Sequence, residues 1–153
     1  MADLLVLTPM RFEASAARRG ADTAIVQRSG IGPARSRRSR SELAAQWPAG
    51  PVAVLGLCGG LQGHLSPGDI IVATEVRSED GSVGVAMPGA DLVAAELASQ
   101  GLPVHAGPIV TSDRVASGRK RSKLAETGAL GVDMESAWLV DAQNGTSAAP
   151  RCV

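Results

Sequence analysis

The residues best placed to do chemistry lie near the end of the sequence. Leu130-Gly-Val-Asp-Met-Glu-Ser-Ala-Trp138 carries an apolar run into Asp133, Met134 and Glu135 and then into a helix-like stretch. An acidic group at the carboxyl end of a parallel strand faces the crevice in which open α/β sheets hold ligands, so Glu135 reads as a pocket residue. Three glycine-bearing turns accompany it. Ser29-Gly-Ile-Gly-Pro-Ala34 joins a strand to a helix. Its N–H groups could face an anion at the helix amino end, or its glycines could serve only the dihedral angles of a tight βα turn. Gly56-Leu-Cys-Gly-Gly-Leu61 leaves a central strand with paired glycines that let a ligand approach the backbone. Gly107-Pro-Ile-Val-Thr-Ser-Asp113 ends a strand in hydroxyl and carboxylate groups.

These residues need elements to position them. Short runs rich in Val, Ile and Leu alternate with Ala- and Arg-rich stretches of helical character, the pattern of βαβ units around a largely parallel, buried sheet. Strands are expected over 4–7, 24–28, 52–57, 70–76, 104–110 and 129–134, and helices over 11–19, 33–46, 91–99, 119–126 and 135–143. Pro33 suits the first turn of its helix, where a missing N–H is harmless. The Gly- and acid-rich stretch 78–89 reads as a surface loop. Residues 1–143 then form one domain, and the small, polar, aperiodic 144–153 form a disordered tail.

Composition narrows the function. The chain has 153 residues, 15 Lys and Arg against 15 Asp and Glu, and a formal net charge of zero, so no basic field marks it for nucleic acid. The run Arg35, Arg37, Arg38, Arg40 reads as a solvated helix face. One Phe and no Tyr leave little for base stacking. Cys58 and Cys152 make neither a disulfide framework nor a metal cluster, which fits reduced thiols and a cytoplasmic location. No segment has the length of a membrane span. The amino terminus lacks a basic leader.

Taken in order, Ser29-Gly-Ile-Gly32, Gly59-Gly-Leu61 with Pro67-Gly-Asp-Ile-Ile-Val72 and Thr74-Glu-Val76, Ile109-Val-Thr-Ser-Asp113 and Thr127-Gly-Ala-Leu-Gly-Val-Asp-Met-Glu135 resemble the nucleoside phosphorylase and nucleosidase superfamily. The nearest branches are the methylthioadenosine/adenosylhomocysteine nucleosidase-like and hopanoid-associated members. The resemblance implies a three-layer α/β/α sandwich with a mostly parallel or mixed central sheet. It implies cleavage of the N-glycosidic bond of an adenosyl-type purine nucleoside. Glu13 falls where the family orients or activates the attacking water, whereas by itself it reads as a first-turn helix glutamate. Met134 would pack against the sugar and Glu135 would accept ribose hydroxyls. The Gly59-Gly60 turn would border the sugar and nucleophile, with Cys58 next to it also expected to touch substrate. Val115 falls where relatives edge the base with an aromatic ring, absent here. Asp133, by strand alternation, is expected on the face away from Glu135's neighbours. Asp113 is expected to fix a loop, and His64 and His105 occupy no motif position.

The strand before Gly56 offers no arginine, and Leu57 and Cys58 stand where phosphorolytic relatives have hydroxyls, so hydrolysis is favoured over phosphorolysis with phosphate as co-substrate. No metal or organic cofactor is required. The family pattern continues with another apolar strand, ending in a Ser-Asp pair whose acid protonates the leaving base, and then a terminal helix. Neither is recognisable after Val140. The expectation is a fold short of its last strand and helix, with a truncated, catalytically inactive nucleoside-binding remnant as the alternative to an active hydrolase. The resemblance also implies a homo-oligomer.

Overall fold

The computed structural model describes residues 4–21, 23–46 and 51–141. The expected tail over 144–153, and with it Cys152, lies outside the described residues. The chain folds as an α/β protein of three layers with a mixed central sheet, whose strand pairing divides into two parts. In the first, β1 (Leu5–Thr8) lies between β2 (Ile25–Arg28) and β3 (Val52–Val54), all parallel. In the second, β5 (Ile70–Ser78), β7 (Val104–Thr111) and β8 (Gly131–Asp133) are parallel. Antiparallel β4 (Gly59–Gly60) closes the β8 side and β6 (Gly84–Ala86) the β5 side.

The helices are α1 (Arg11–Gly20), α2 (Pro33–Gln46), α3 (Ala90–Ser99), α4 (Gly118–Glu126) and α5 (Ser136–Val140). β1 is buried at all four positions, the signature of a strand covered on both faces. Leu5 and Leu7 pack with Leu43 of α2 and Leu139 of α5, each side chain contributing roughly 1.5–3 kcal/mol by its burial. A second cluster joins Val72, Val76 and Ile109 of the sheet to Ala90 and Ala94 of α3 and to Trp138 and Val140 of α5. α2 and α5 also meet through the Arg37 guanidinium, 4.3 Å from the centre of the Trp138 ring. The remaining arginines of that run, Arg35, Arg38 and Arg40, hold no ion pair among the described residues.

Three expectations are corrected. The strand expected over 52–57 stops at Val54, because Leu57 turns its N–H toward Glu13 instead of a neighbouring strand. The paired glycines are more than a turn: Gly59 and Gly60 form a short ladder with Val132 and Gly131. The expected loop over 78–89 contains β6, which returns along Glu75–Arg77 after a tight turn. Ser78 and Ser82 hydroxyls and the Ser82 N–H all donate to Asp80 in that turn, holding its carboxyl down at about 2.

Candidate functional site

The ends of β1 and β8 and the turns after β2 and β3 converge on a cleft of about 310 Å³. Glu13, Cys58, Gly59, Val115, Met134 and Glu135, the six site residues expected from sequence, all line it. They come from four separate stretches of chain, so only the tertiary fold brings them together.

Glu13 is the third residue of α1 and 6% exposed. Its Oε2 accepts from the Met10 N–H at 2.8 Å, half of a capping box, and its Oε1 accepts from the Leu57 N–H at 2.9 Å. The bond to Leu57 ties α1 to the segment after β3. A carboxylate has about four acceptor positions, so each oxygen keeps room for a water or hydroxyl.

Glu135 sits between β8 and α5 and is also 6% exposed. Its Oε1 accepts from the Gly32 N–H at 2.9 Å, 103 residues away in sequence, and its Oε2 accepts from the Met134 N–H at 3.2 Å. Gly32 has φ +84°, a conformation open to glycine, and its N–H points at this carboxylate. The turn after β2 is therefore an anion cradle whose anion is supplied by the protein itself. Burial raises the Glu135 carboxyl, opposed by the Gly32 N–H and reinforced by the charge of Asp133.

Asp133 departs from its expected position. It lines the cleft beside Glu135, as the period of two along a strand places residues 133 and 135 on one face. Its Oδ1 accepts from the Thr111 hydroxyl at 2.6 Å and its Oδ2 from the Ser136 N–H at 3.0 Å, while the Thr111 oxygen accepts from the Ala137 N–H. These bonds fasten β7, β8 and the start of α5 together. Burial pushes the Asp133 carboxyl up. Cys58 is exposed, yet its thiol is also raised, first by desolvation and then by Asp133, as expected of a group on a concave wall. Val115 is 75% exposed at the rim.

Sequence reasoning missed Arg114 and Arg121, which line the same cleft. Arg121 arrives from α4, and its Nη2 donates to the Gly60 carbonyl. Asp113 accepts from Lys120 at 2.9 Å and so fixes its loop to α4. His105 lies on β7 and bonds Asp69 at 2.9 Å, away from the cleft. Among the described residues no group of three or more His, Cys, Asp or Glu could hold a metal ion, and no helix is long and apolar enough to cross a membrane.

The strand ends of this split α/β sheet thus bury two carboxylates against backbone N–H donors. The chain belongs to the phosphorylase superfamily, whose family model matches residues 6–142. Its fold is shared by a mutant 5'-methylthioadenosine/S-adenosylhomocysteine nucleosidase of Helicobacter pylori with 5'-methylthioadenosine in the active site. That similarity has TM-score 0.81 and 19% identity, covering 91% of this chain and 78% of the other. A mutant futalosine hydrolase of the same organism is similar with TM-score 0.79 and 18% identity, covering 91% and 81%. The Campylobacter jejuni 5'-methylthioadenosine/S-adenosylhomocysteine nucleosidase gives TM-score 0.79 and 20% identity, covering 91% and 78%. No curated protein matches the chain.

Proposed function

We propose that the cleft binds a purine nucleoside of adenosyl type and hydrolyses its N-glycosidic bond. The observation that carries this reading is the pairing of two buried carboxylates, Glu13 and Glu135, each held open to the cleft by backbone N–H donors on both oxygens. Glu135 accepts hydrogen bonds from ribose hydroxyls, and Met134 lies against the sugar. Glu13 orients a water for attack at the anomeric carbon and accepts its proton as the new C–O bond forms. The C–N bond breaks with its electron pair going to the base, which takes up a proton and leaves. Charge on the sugar in this transition state is positive, and buried carboxylates in a low-dielectric cleft stabilise it.

Hydrolysis also fits the wall at Leu57, Cys58 and Gly59, which carries no hydroxyl for a phosphate. The test is release of free base from adenosine, 5'-methylthioadenosine and related nucleosides. Wild type is expected to turn over and Glu13→Gln to lose about 10²–10⁴-fold, the usual range for a positioned base. Equal rates in the two proteins would remove Glu13 from the chemistry.

A second reading, binding without turnover, is favoured by the state of the cleft acids. Glu13, Asp133 and Glu135 are the carboxylates that line it, and both Asp133 oxygens already accept bonds. Beyond Glu13 and Glu135, which the reaction uses, Asp133 is the one carboxyl lining the cleft among the described residues, and it is fastened to Thr111 and Ser136. Tight nucleoside binding with base release at the rate of buffer would select this reading.

A further inference from the structure

The proposed reaction leaves the basic side of the cleft unused. Arg121 lies across β4, the strand of two glycines: its Nη2 donates to the Gly60 carbonyl, and its Nη1 stands 3.3 Å from where a Cβ on Gly59 would be. The missing Cβ of Gly59 leaves room for the guanidinium against this backbone. A neutral carbonyl orients the guanidinium without neutralising it, and Arg121 forms no ion pair among the described residues.

Its neighbours behave differently. Lys120 is paired with both Glu79, at 2.7 Å, and Asp113, at 2.9 Å. Arg114 reaches only Asp113, at 3.8 Å, a carboxylate already engaged by Lys120. Two guanidinium groups, one uncompensated and one weakly compensated, therefore line the same cleft as the sugar-binding carboxylate. Glu13, Asp133 and Glu135 line the same cleft but form no ion pair with either arginine among the described residues.

We propose that Arg121 and Arg114 form an anion-recognising edge, so that the preferred ligand is a nucleoside carrying a carboxylate or phosphate substituent. Paired N–H donors match the two oxygens of such a group, and a guanidinium already held by Gly60 loses little side-chain freedom on engaging it. The inference rests on the cleft being a nucleoside site, and its test separates the two.

Adenosine, adenosine 5'-monophosphate, adenosine-5'-carboxylate and inorganic phosphate are titrated calorimetrically into wild type, Arg121→Gln and Arg114→Gln at low and high salt. Folding of each variant is checked by its thermal midpoint. In wild type the two anionic nucleosides are expected to bind about tenfold to a hundredfold tighter than adenosine, the range for a hydrogen bond to a charged group. That ratio should fall toward one in Arg121→Gln, fall less in Arg114→Gln, and shrink as salt rises. A ratio near one in wild type, or one unchanged in Arg121→Gln, overturns the anion edge while adenosine binding keeps the nucleoside reading. Inorganic phosphate binding as tightly as the nucleotide overturns the substituent in favour of free phosphate. Failure of every nucleoside, charged or neutral, overturns the nucleoside reading and the anion edge with it.

Discussion

Two cavities meet at the same wall, and they are built on opposite principles. Pro9, Leu57, Cys58, Asp133 and Glu135 line both. On one side, the cleft of about 310 Å³ gathers three carboxylates and two arginines. On the other, a cavity of about 210 Å³ lies between the two parts of the sheet and is bounded mainly by aliphatic groups, among them Val54 of β3, Ile71 and Val72 of β5, Leu97 of α3 and Val140 of α5. Among the described residues β3 pairs only with β1, and the first half of β5 only with β7, so both strands turn an edge unpaired by any described strand toward this region. Polar groups in the cleft are tolerated because backbone N–H groups satisfy them, whereas the second cavity is walled mostly by aliphatic side chains, with polar groups only on the shared wall and along the open strand edges. The comparison teaches that binding and packing here are separated by one layer of residues, not by distance.

The largest expected effect breaks the aliphatic side. Val140 is 1% exposed, and Val140→Asp would place an unpaired carboxylate there, a destabilisation of about 3–5 kcal/mol by urea denaturation. A loss below about 1 kcal/mol would mean that water or a polar partner reaches this side as well.

The acids on the shared wall give the next effect. Below the usual carboxylate range Asp133 and Glu135 are protonated in both the folded and unfolded chain. As pH rises, the unfolded chain releases its protons first, because both carboxyls are raised in the fold. The stability these two groups contribute is thus greatest below their ordinary values of 3.8 and 4.5 and declines as pH climbs from there through the raised values. Asp133→Asn should flatten that decline, since it removes one buried charge and relieves the other. Denaturation midpoints across pH 4–8 would measure it, and an unchanged slope would count against the shared wall as its source.

Cys58 sharpens the comparison more gently. Its raised thiol should alkylate several-fold more slowly at neutral pH than a free cysteine, and a bound nucleoside should slow it further. Peptide mass mapping distinguishes it from Cys152. The smallest effect lies at a residue that lines neither cavity: Asp80→Asn should remove less than about 1 kcal/mol. For Asp80 the sign is reversed, since the stability it contributes is present above 3.8 and is lost as pH falls toward about 2.

Much of this organisation was legible in the sequence where a local pattern recorded it. Val and Ile runs marked β1, β2, β5 and β7, and Pro33 marked the start of α2 to the residue. Glu135 announced itself by ending an apolar run. β6 escaped because only Gly84–Ala86 pair, and the glycines and acids around them speak for a loop. Asp133 was misplaced because strand alternation puts residues two apart on one face, which sets it with Glu135 and not away from it. Arg121 carried no signal at all: in sequence it belongs to a charged helix, and only packing of α4 against β4 brings it over the glycines.

The central claim is that Glu135, held by the Gly32 N–H, is the hydrogen-bond acceptor for the ribose. Calorimetric titration of adenosine into wild type and Glu135→Gln tests it most directly. The account predicts an affinity lower by about tenfold to a hundredfold in the variant, the range for a hydrogen bond to a charged acceptor, with a thermal midpoint kept or raised at neutral pH. Equal affinity in the two proteins would contradict it.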